Sequence, residues 1–406
     1  MKSSNLFKLV ALFPFASTAF VVADAASPLL KFGDGAVGYV LADAGVSYTD
    51  NLFGTHNKKS AVSFYVTPGI QLVLGGDSVN TFTLTARERL TAYVNHSDLN
   101  SAQANIRAKY KYDAGSRLRV DAEGGFRQTT QNTNTISQDG DLIRRNLYDV
   151  GVGVSYDLTS KSLLEVGANF SSTNYRNFRT QYNDQDVYNI PVSWLYQVTE
   201  KTKLGFTYSY TYTDLDAVDG GAANSYGVID PGYQQVHYLG ATARGELTSK
   251  INYRATAGVG YNEFSDRTIN VFGTAVEDNP DGTTFNFELS ADYQITDKVK
   301  ATLTGGRKFE VGGQAQDITN TYVRLGADYL IAAQWEANAY AGFSYQKFDD
   351  SWKDGTDKIS TLGASVSYLP SDYWRVTLGY GLQYNDSDRI ASYSINTVSL
   401  TATLKY

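Results

Sequence analysis

The feature of this sequence that most limits its fold is a tight turn, bracketed by strands of alternating apolar and polar residues, that recurs along the chain. In one such strand Phe285, Phe287 and Leu289 alternate with Asn286 and Glu288. Residues two apart in a strand share a face, so each strand has an apolar and a polar side. This pattern is typical of antiparallel sheets. The turns fall near Gly75, Asp113, Leu158, Val198, Leu247, Ile295, Ile331 and Pro370.

Longer, more polar connections separate successive short turns, as at 132–145, 214–232 and 265–284. Short turns at one end and longer loops at the other are typical of outer-membrane barrels. Eight turns join sixteen strands, and flanking strands near 37–48 and 393–406 raise the number to about eighteen. We therefore predict an all-β, transmembrane, antiparallel up-and-down β-barrel of about 18 strands, with 16 as the alternative, and both termini on the periplasmic side.

The beginning of the chain has the pattern of a secretory signal peptide. Lys2 and Lys8 flank the start of an apolar stretch, which is followed by the small residues Ala23 and Ala25. A transmembrane anchor is the alternative, but Pro14 and the short apolar run argue against it. We predict a signal peptide at 1–25 and one barrel domain at 26–406. No cysteine is present, so disulfides do not stabilise the fold.

The last nine residues, VSLTATLKY, alternate without interruption. A barrel closes when its last strand pairs with its first and leaves no backbone edge in lipid. A soluble β-sandwich would show the same alternation, but the signal peptide and the unequal connections favour the membrane barrel. The terminal strand also looks like the signal that the outer-membrane insertion machinery recognises. Its apolar positions are Val398, Leu400, Ala402, Leu404 and Tyr406.

Three segments resemble a known family. VSYTDNLFGT at 46–55, VTPGIQLVL at 66–74 and the long strands around the SRLRV turn are similar to the β-barrel porin type 2 family of bacterial outer membranes. The sharpest piece is the cluster Tyr48, Asp50, Asn51, Leu52 and Phe53. The resemblance implies a role in exopolysaccharide biosynthesis or export. From the barrel itself we predict a porin-like channel for hydrophilic solutes, with saccharides as a candidate cargo; the exopolysaccharide barrel and a structural barrel with an occluded lumen are the two alternatives.

The polar face carries a concentration of basic residues on the third to fifth strands, which we predict to line the pore. An eighteen-stranded barrel is wide enough for an aqueous lumen. A basic stripe could guide anions or acidic sugars; equally, these charges could pair with neighbouring strands. The predicted stripe is Arg87, Arg89, Arg107, Lys109, Lys111, Arg117, Arg119 and Arg127. Acidic inward positions are Asp149, Glu165, Glu246, Glu288, Asp292, Asp328 and Glu336.

Nothing in the sequence indicates an enzyme. Only His56, His96 and His237 are present, without a nucleophile motif or metal-ligand spacing. We predict no catalytic residues, cofactor or metal. The net charge of −7 disfavours nucleic acid as a partner. Expected partners are outer-membrane lipid, the insertion machinery, a saccharide solute and further copies of the chain.

Two further features concern the strands. Several tyrosines near loop ends are predicted to sit at headgroup depth, with sugar stacking as the alternative. Pro68 and Pro191 fall inside proposed strands, where each removes a hydrogen-bond donor, and we interpret them as bulges or strand ends. The tyrosines are Tyr182, Tyr188, Tyr212, Tyr233 and Tyr261.

Overall fold

A closed antiparallel β-barrel of 18 strands forms the molecule. The structure is a computed structural model, and it describes residues 28–33, 35–76, 78–132, 141–220, 223–224, 227–348 and 354–406. The predicted signal peptide at 1–25 lies outside the described residues. The prediction of about 18 strands is confirmed, and the alternative of 16 is wrong.

Each barrel strand is long, between 13 and 17 residues. A transmembrane strand needs about 9–11 residues when tilted, so every strand is long enough to cross a bilayer. The barrel strands are β2 (Ala36–Thr49), β3 (Ala61–Leu74), β4 (Asn80–Tyr93), β5 (Ser101–Asp113), β6 (Leu118–Gln131), β7 (Ile143–Asp157), β8 (Ser162–Tyr175), β9 (Gln185–Gln197), β10 (Thr202–Leu215), β12 (Tyr233–Thr248), β13 (Ile251–Ser265), β16 (Asp281–Thr296), β17 (Val299–Val311), β18 (Asp317–Ala332), β19 (Trp335–Phe348), β20 (Gly355–Ser371), β21 (Trp374–Ser387) and β22 (Tyr393–Lys405).

Four short strands lie outside the barrel wall. β1 (Leu30–Phe32) folds back on the first residues of β2. The other three form a small sheet within two long loops: β11 (Val228–Asp230), β14 (Thr268–Val271) and β15 (Thr274–Glu277). A single 3-10 turn at Ser97–Leu99 is the only helical element among the described residues. No helix in the described chain is long and apolar enough to cross a membrane.

The barrel closes between β2 and β22, as the sequence predicts. Nine residue pairs join these strands, from Leu41 with Lys405 to Thr49 with Thr397. Beyond the ladder, Val40 and Tyr406 exchange two backbone hydrogen bonds of 2.6 and 2.9 Å. The closing strand therefore leaves no unpaired edge along this seam, which a membrane-spanning sheet requires.

The two strand prolines change the ladder but not its register. The β3–β4 pairing skips Pro68, and the β8–β9 pairing skips Pro191, yet the partners on both sides keep the same offset. Pro lacks the N–H that the ladder would use, so the bond is lost locally. The prediction that these prolines mark bulges or strand ends is wrong.

Outward-facing residues form an apolar band around the whole barrel. Large aliphatic side chains on widely separated strands are more than half exposed, including Ile70 at 62%, Leu239 at 60% and Leu378 at 56%. Aromatic residues border the band at both ends, as in membrane barrels. Those nearer the short turns include Tyr156, Trp194, Tyr293, Tyr329, Trp335 and Trp374, and those nearer the long loops include Tyr48, Tyr148, Tyr188, Tyr261 and Tyr380.

A closed sheet with this exterior is the architecture of outer-membrane proteins, and the chain is a transmembrane barrel of that kind. In this setting the short turns lie on the periplasmic side and the long loops on the extracellular side.

Candidate functional site: the barrel lumen

Inward-facing charged side chains border open space within the barrel. On β6 the side chain of Glu123 is 43% exposed, and on β16, far around the wall, that of Asp292 is 46% exposed. Both residues lie on the polar face of their strands, away from the apolar band. Charged groups beside open space are stable only where water can solvate them, so the polar face around Glu123 and Asp292 is suited to an aqueous lumen.

Three members of the predicted basic stripe, Arg87, Arg107 and Arg119, are paired with carboxylates on other strands. Arg87 binds Asp43 at 2.6 Å, and Arg107 binds Glu123 at 3.2 Å and Asp149 at 3.0 Å. The stripe is therefore a mixed wall of alternating signs rather than a continuous cationic surface.

The other members of the stripe differ in their partners and in their positions. The Arg119 guanidinium donates two hydrogen bonds to the Asp157 carboxylate, at 2.8 and 3.3 Å. Lys111 lies 3.9 Å from Asp113, and Arg127 is inward on β6. Lys109 is exposed, and the described chain gives it no ion pair. Arg117 lies in the turn at 114–117, immediately before β6, and not on a strand as predicted.

Arg89 stacks on an aromatic ring instead of pairing with a carboxylate. Its guanidinium lies 3.7 Å from the centroid of the Tyr65 ring. The Tyr65 hydroxyl in turn hydrogen-bonds to Thr401 on β22. Tyr65 reaches it by passing over Gly45, where a Cβ atom would lie 2.6 Å from the ring. The β3 tyrosine thus bridges the closure seam from inside the lumen.

The same arrangement positions Arg87. Its side chain crosses from β4 over β3 to reach Asp43 on β2, and it passes over Gly69. A Cβ at Gly69 would lie 2.7 Å from Cγ of Arg87. Sequence reasoning missed Tyr65, Gly45 and Gly69. The sequence signal that could have identified them is a glycine on the inner face of one strand next to a long inward side chain on the neighbouring strand.

One ion pair is deeply buried in the wall. Arg244 on β12 reaches over β10 and β9 to Glu165 on β8, with Nη1 to Oε1 at 2.7 Å. The Glu165 side chain is only 2% exposed, and its second oxygen, Oε2, has no hydrogen-bond partner among the described residues. This pair joins four adjacent strands along the inner surface.

Two long loops and one short turn pack together at the extracellular mouth. Their apolar contact, which we name the loop core, consists of Leu215, Val228, Phe264, Ile269 and Ala315. The turn between β17 and β18 extends from this core to the loop between β8 and β9, where Asn183 N–H binds the Gly313 carbonyl at 2.9 Å. Four barrel strands lie between these two hairpins, so the contact runs across the mouth rather than along the rim.

A second group of loops packs beside the closure seam. Leu52 and Phe53 are buried with Ala61, Leu99 and Leu142. This places the sharpest part of the sequence resemblance in the packed extracellular mouth. The neighbouring Asp50 accepts a hydrogen bond from Asn396 N–H across the seam, at 2.7 Å, and another from Lys58 of its own loop, at 2.8 Å.

Asp50 titrates below the ordinary range for an aspartate. Partial burial raises its pKa, but the hydrogen bonds from the Asn396 backbone and from Lys58 outweigh that effect and hold the pKa lower. The carboxylate therefore stays charged and keeps the loop attached to β22.

The predicted interface tyrosines divide into two groups. Tyr188 and Tyr261 are exposed on the barrel exterior, and the Tyr188, Tyr212 and Tyr233 rings form a row with centroid separations of 6.3 and 5.4 Å. Tyr182 instead is buried and stacked on Tyr175, 4.7 Å away. The headgroup prediction is wrong for Tyr182, because its loop folds inward.

In comparisons with known proteins, this chain is similar to solved structures only in the overall course of the chain. The sequence matches no protein-family model and no curated protein. Among solved structures, OccAB3 of Acinetobacter baumannii is 11% identical, with a TM-score of 0.45 over 91% of this chain and 99% of that one. The outer membrane channel DcaP of the same organism is 12% identical, with a TM-score of 0.44 over 94% and 100%.

OccK2 of Pseudomonas aeruginosa is also similar, at 11% identity and a TM-score of 0.46 over 91% of this chain and 97% of that one. Similarities this low carry no information about what this chain transports. The porin type 2 resemblance therefore stays a prediction from the sequence.

Proposed function

We propose that the protein is a water-filled outer-membrane channel through which hydrophilic solutes pass. The observation that carries this proposal is the solvent exposure of inward charged groups such as Glu123 and Asp292, in a barrel whose exterior is apolar. Ions and small polar molecules cross such a lumen without leaving water. No chemical step is needed, in keeping with the prediction that the chain is not an enzyme.

Selectivity in this proposal comes from the width and charge of the path. The loop core and the turn across the mouth narrow the extracellular end. Below them the mixed wall around Arg107, Glu123 and Asp149 presents both signs of charge. Solutes that can exchange hydrogen bonds with such a wall, saccharides among them, are its expected cargo. A role in exopolysaccharide export remains a prediction of the sequence resemblance alone.

Conductance of the protein in planar lipid bilayers tests the proposal. We expect discrete single-channel steps, and liposomes that contain the protein should swell in isotonic solutions of small sugars. Absence of both conductance and swelling from correctly folded barrels, checked by their heat-dependent gel mobility, would instead favour the structural barrel with an occluded lumen.

A further inference from the structure

A contiguous arc of basic residues lies at the periplasmic mouth, and the proposed channel function gives these residues no role. Five successive short turns, between β5 and β17, each end with a basic residue immediately before the next strand. The remaining short turns, at 75–79, 333–334 and 372–373, contain no Lys or Arg. We name this set the basic turn arc: Arg117, Lys161, Lys201, Lys250 and Lys298.

Four of these turns hold their lysine in the same way. A threonine hydroxyl two residues earlier accepts the lysine's backbone N–H, at 3.2 Å for Lys161, Lys201 and Lys250 and at 3.3 Å for Lys298. Such local side-chain bonds fix the shape of a turn. Because the geometry repeats, the lysines occupy equivalent positions around the rim.

Strand alternation puts the arc on the lumen side. The residue after each cation faces outward: Leu118 is exposed, Ser162 bonds the outward Trp194, and Val299 pairs with the exposed Tyr329. Neighbouring residues in a strand point to opposite faces. Extended to the residue before each strand, this alternation places the five cations at the inner edge of the mouth, where a solute would enter or leave.

The cations of the arc lack the ion pairs that Arg87, Arg107 and Arg119 form in the predicted stripe. Within the described chain none of the five forms an ion pair, and Glu200 and Asp297 are the carboxylates in the same turns. Lys250 Nζ donates a hydrogen bond to the Ile295 carbonyl, at 3.1 Å, which leaves its charge in place. Arg87, Arg107 and Arg119 in the lumen, by contrast, all bind carboxylates. The opposite mouth has an excess of carboxylates in its described loops.

We propose that the basic turn arc concentrates anionic solutes, those bearing carboxylate, phosphate or sulfate groups, at the periplasmic mouth of the channel. The inference rests on the proposed channel function and adds a substrate class and a side of entry to it. An electropositive inner rim with an acidic far end makes the channel electrically asymmetric along its axis. Anions presented from the periplasmic side are captured, whereas those presented from outside meet a repulsive mouth.

The expected size of the effect follows from screened electrostatics. Several unit charges on the order of 8 Å from a monovalent anion, screened at about 0.1 M salt, enrich it at the rim about threefold. A multivalent anion gains more, and the gain falls as salt rises because the screening length shortens.

Charge removal in the arc tests the proposal. One variant carries Lys161→Gln, Lys201→Gln, Lys250→Gln and Lys298→Gln; its matched control carries arginine at the same four positions. The turn bonds use backbone N–H groups and are kept in both. A second control, Arg176→Gln, removes an exposed cation from an extracellular loop. Block of the bilayer current by a pentaglutamate peptide is measured from each side, and labelled pentaglutamate binding is measured in detergent micelles.

We expect block from the periplasmic side in the wild type, the arginine control and the loop control, and at least threefold weaker block and binding in the glutamine variant. Equal block and binding in all four proteins would overturn the inference while leaving the channel intact. Should no protein conduct although binding is lost only in the glutamine variant, the channel proposal fails and the anion-binding arc stands.

Discussion

Replacing Arg244 with alanine is the most informative perturbation of the lumen wall. The guanidinium is the group that compensates the buried carboxylate of Glu165, at 2.7 Å, and Oε2 of that carboxylate has no other hydrogen-bond partner in the described chain. Arg244→Ala leaves a carboxylate that is 2% exposed without its hydrogen-bonded counter-charge, and only the more distant cations Lys203 and Arg119 still act on it. We expect the loss to be much larger than for an exposed pair.

The magnitude follows from the burial of the pair. Removing one partner of a buried ion pair costs about 3–5 kcal/mol, because the other charge stays desolvated. Arg244 itself is a quarter exposed, so the lower end, about 3 kcal/mol, applies. The matched control is Lys300→Ala, whose pair with Asp292 spans 3.3 Å and is nearly half exposed. Such pairs contribute about 0–1 kcal/mol.

The free energy of unfolding is measured by urea titration of the protein in detergent micelles, followed by tryptophan fluorescence. The double variant Arg244→Ala with Glu165→Gln removes the stranded charge and should recover most of the loss. If Arg244→Ala costs no more than Lys300→Ala, or if Glu165→Gln does not rescue it, the buried pair is not what joins β8 to β12.

Three further predictions follow from the wall and the seam. Arg107→Gln leaves Glu123 and Asp149 uncompensated in the lumen, so the bilayer reversal potential should move toward cation selectivity; a move toward anions would contradict the pairing. Gly45→Val places a Cβ where the Tyr65 ring crosses to β22 and should weaken the closure of the barrel by about 2 kcal/mol. The heat-dependent shift in gel mobility should then occur at a lower temperature. Gly124→Ala, whose added Cβ would make only ordinary contacts, should leave that temperature unchanged. The folded-state pKa of Asp50 is lowered, so its stabilisation of the loop is present at neutral pH and is lost as pH falls through that pKa. The protection factor of the Asn396 amide, its exchange rate compared with that of an unstructured amide at the same pH, should fall there, and Asp50→Asn should lower that protection factor already at neutral pH.

Much of the architecture could be predicted from local sequence. The alternation of Phe285, Phe287 and Leu289 with polar neighbours defines two faces, because side chains in a strand repeat every two residues. The recurring Thr-x-Lys turns mark one end of the barrel. The closing strand at VSLTATLKY is confirmed by its pairing with β2. These features depend on a few consecutive residues, so no tertiary information is needed to recognise them.

Which charged side chains of the inner wall contact one another was decided only by the tertiary structure. Arg87 and Asp43 are 44 positions apart, and Arg244 and Glu165 are 79 apart. Which of them meet depends on strand register, on the curvature of the closed sheet and on a glycine such as Gly69 that opens a path between strands. The packing of loops into the mouth has the same origin. The sequence alone therefore determined which face of each strand carries the charged side chains. Closure of the barrel determined which of those side chains form ion pairs and which keep a charge that can attract a solute.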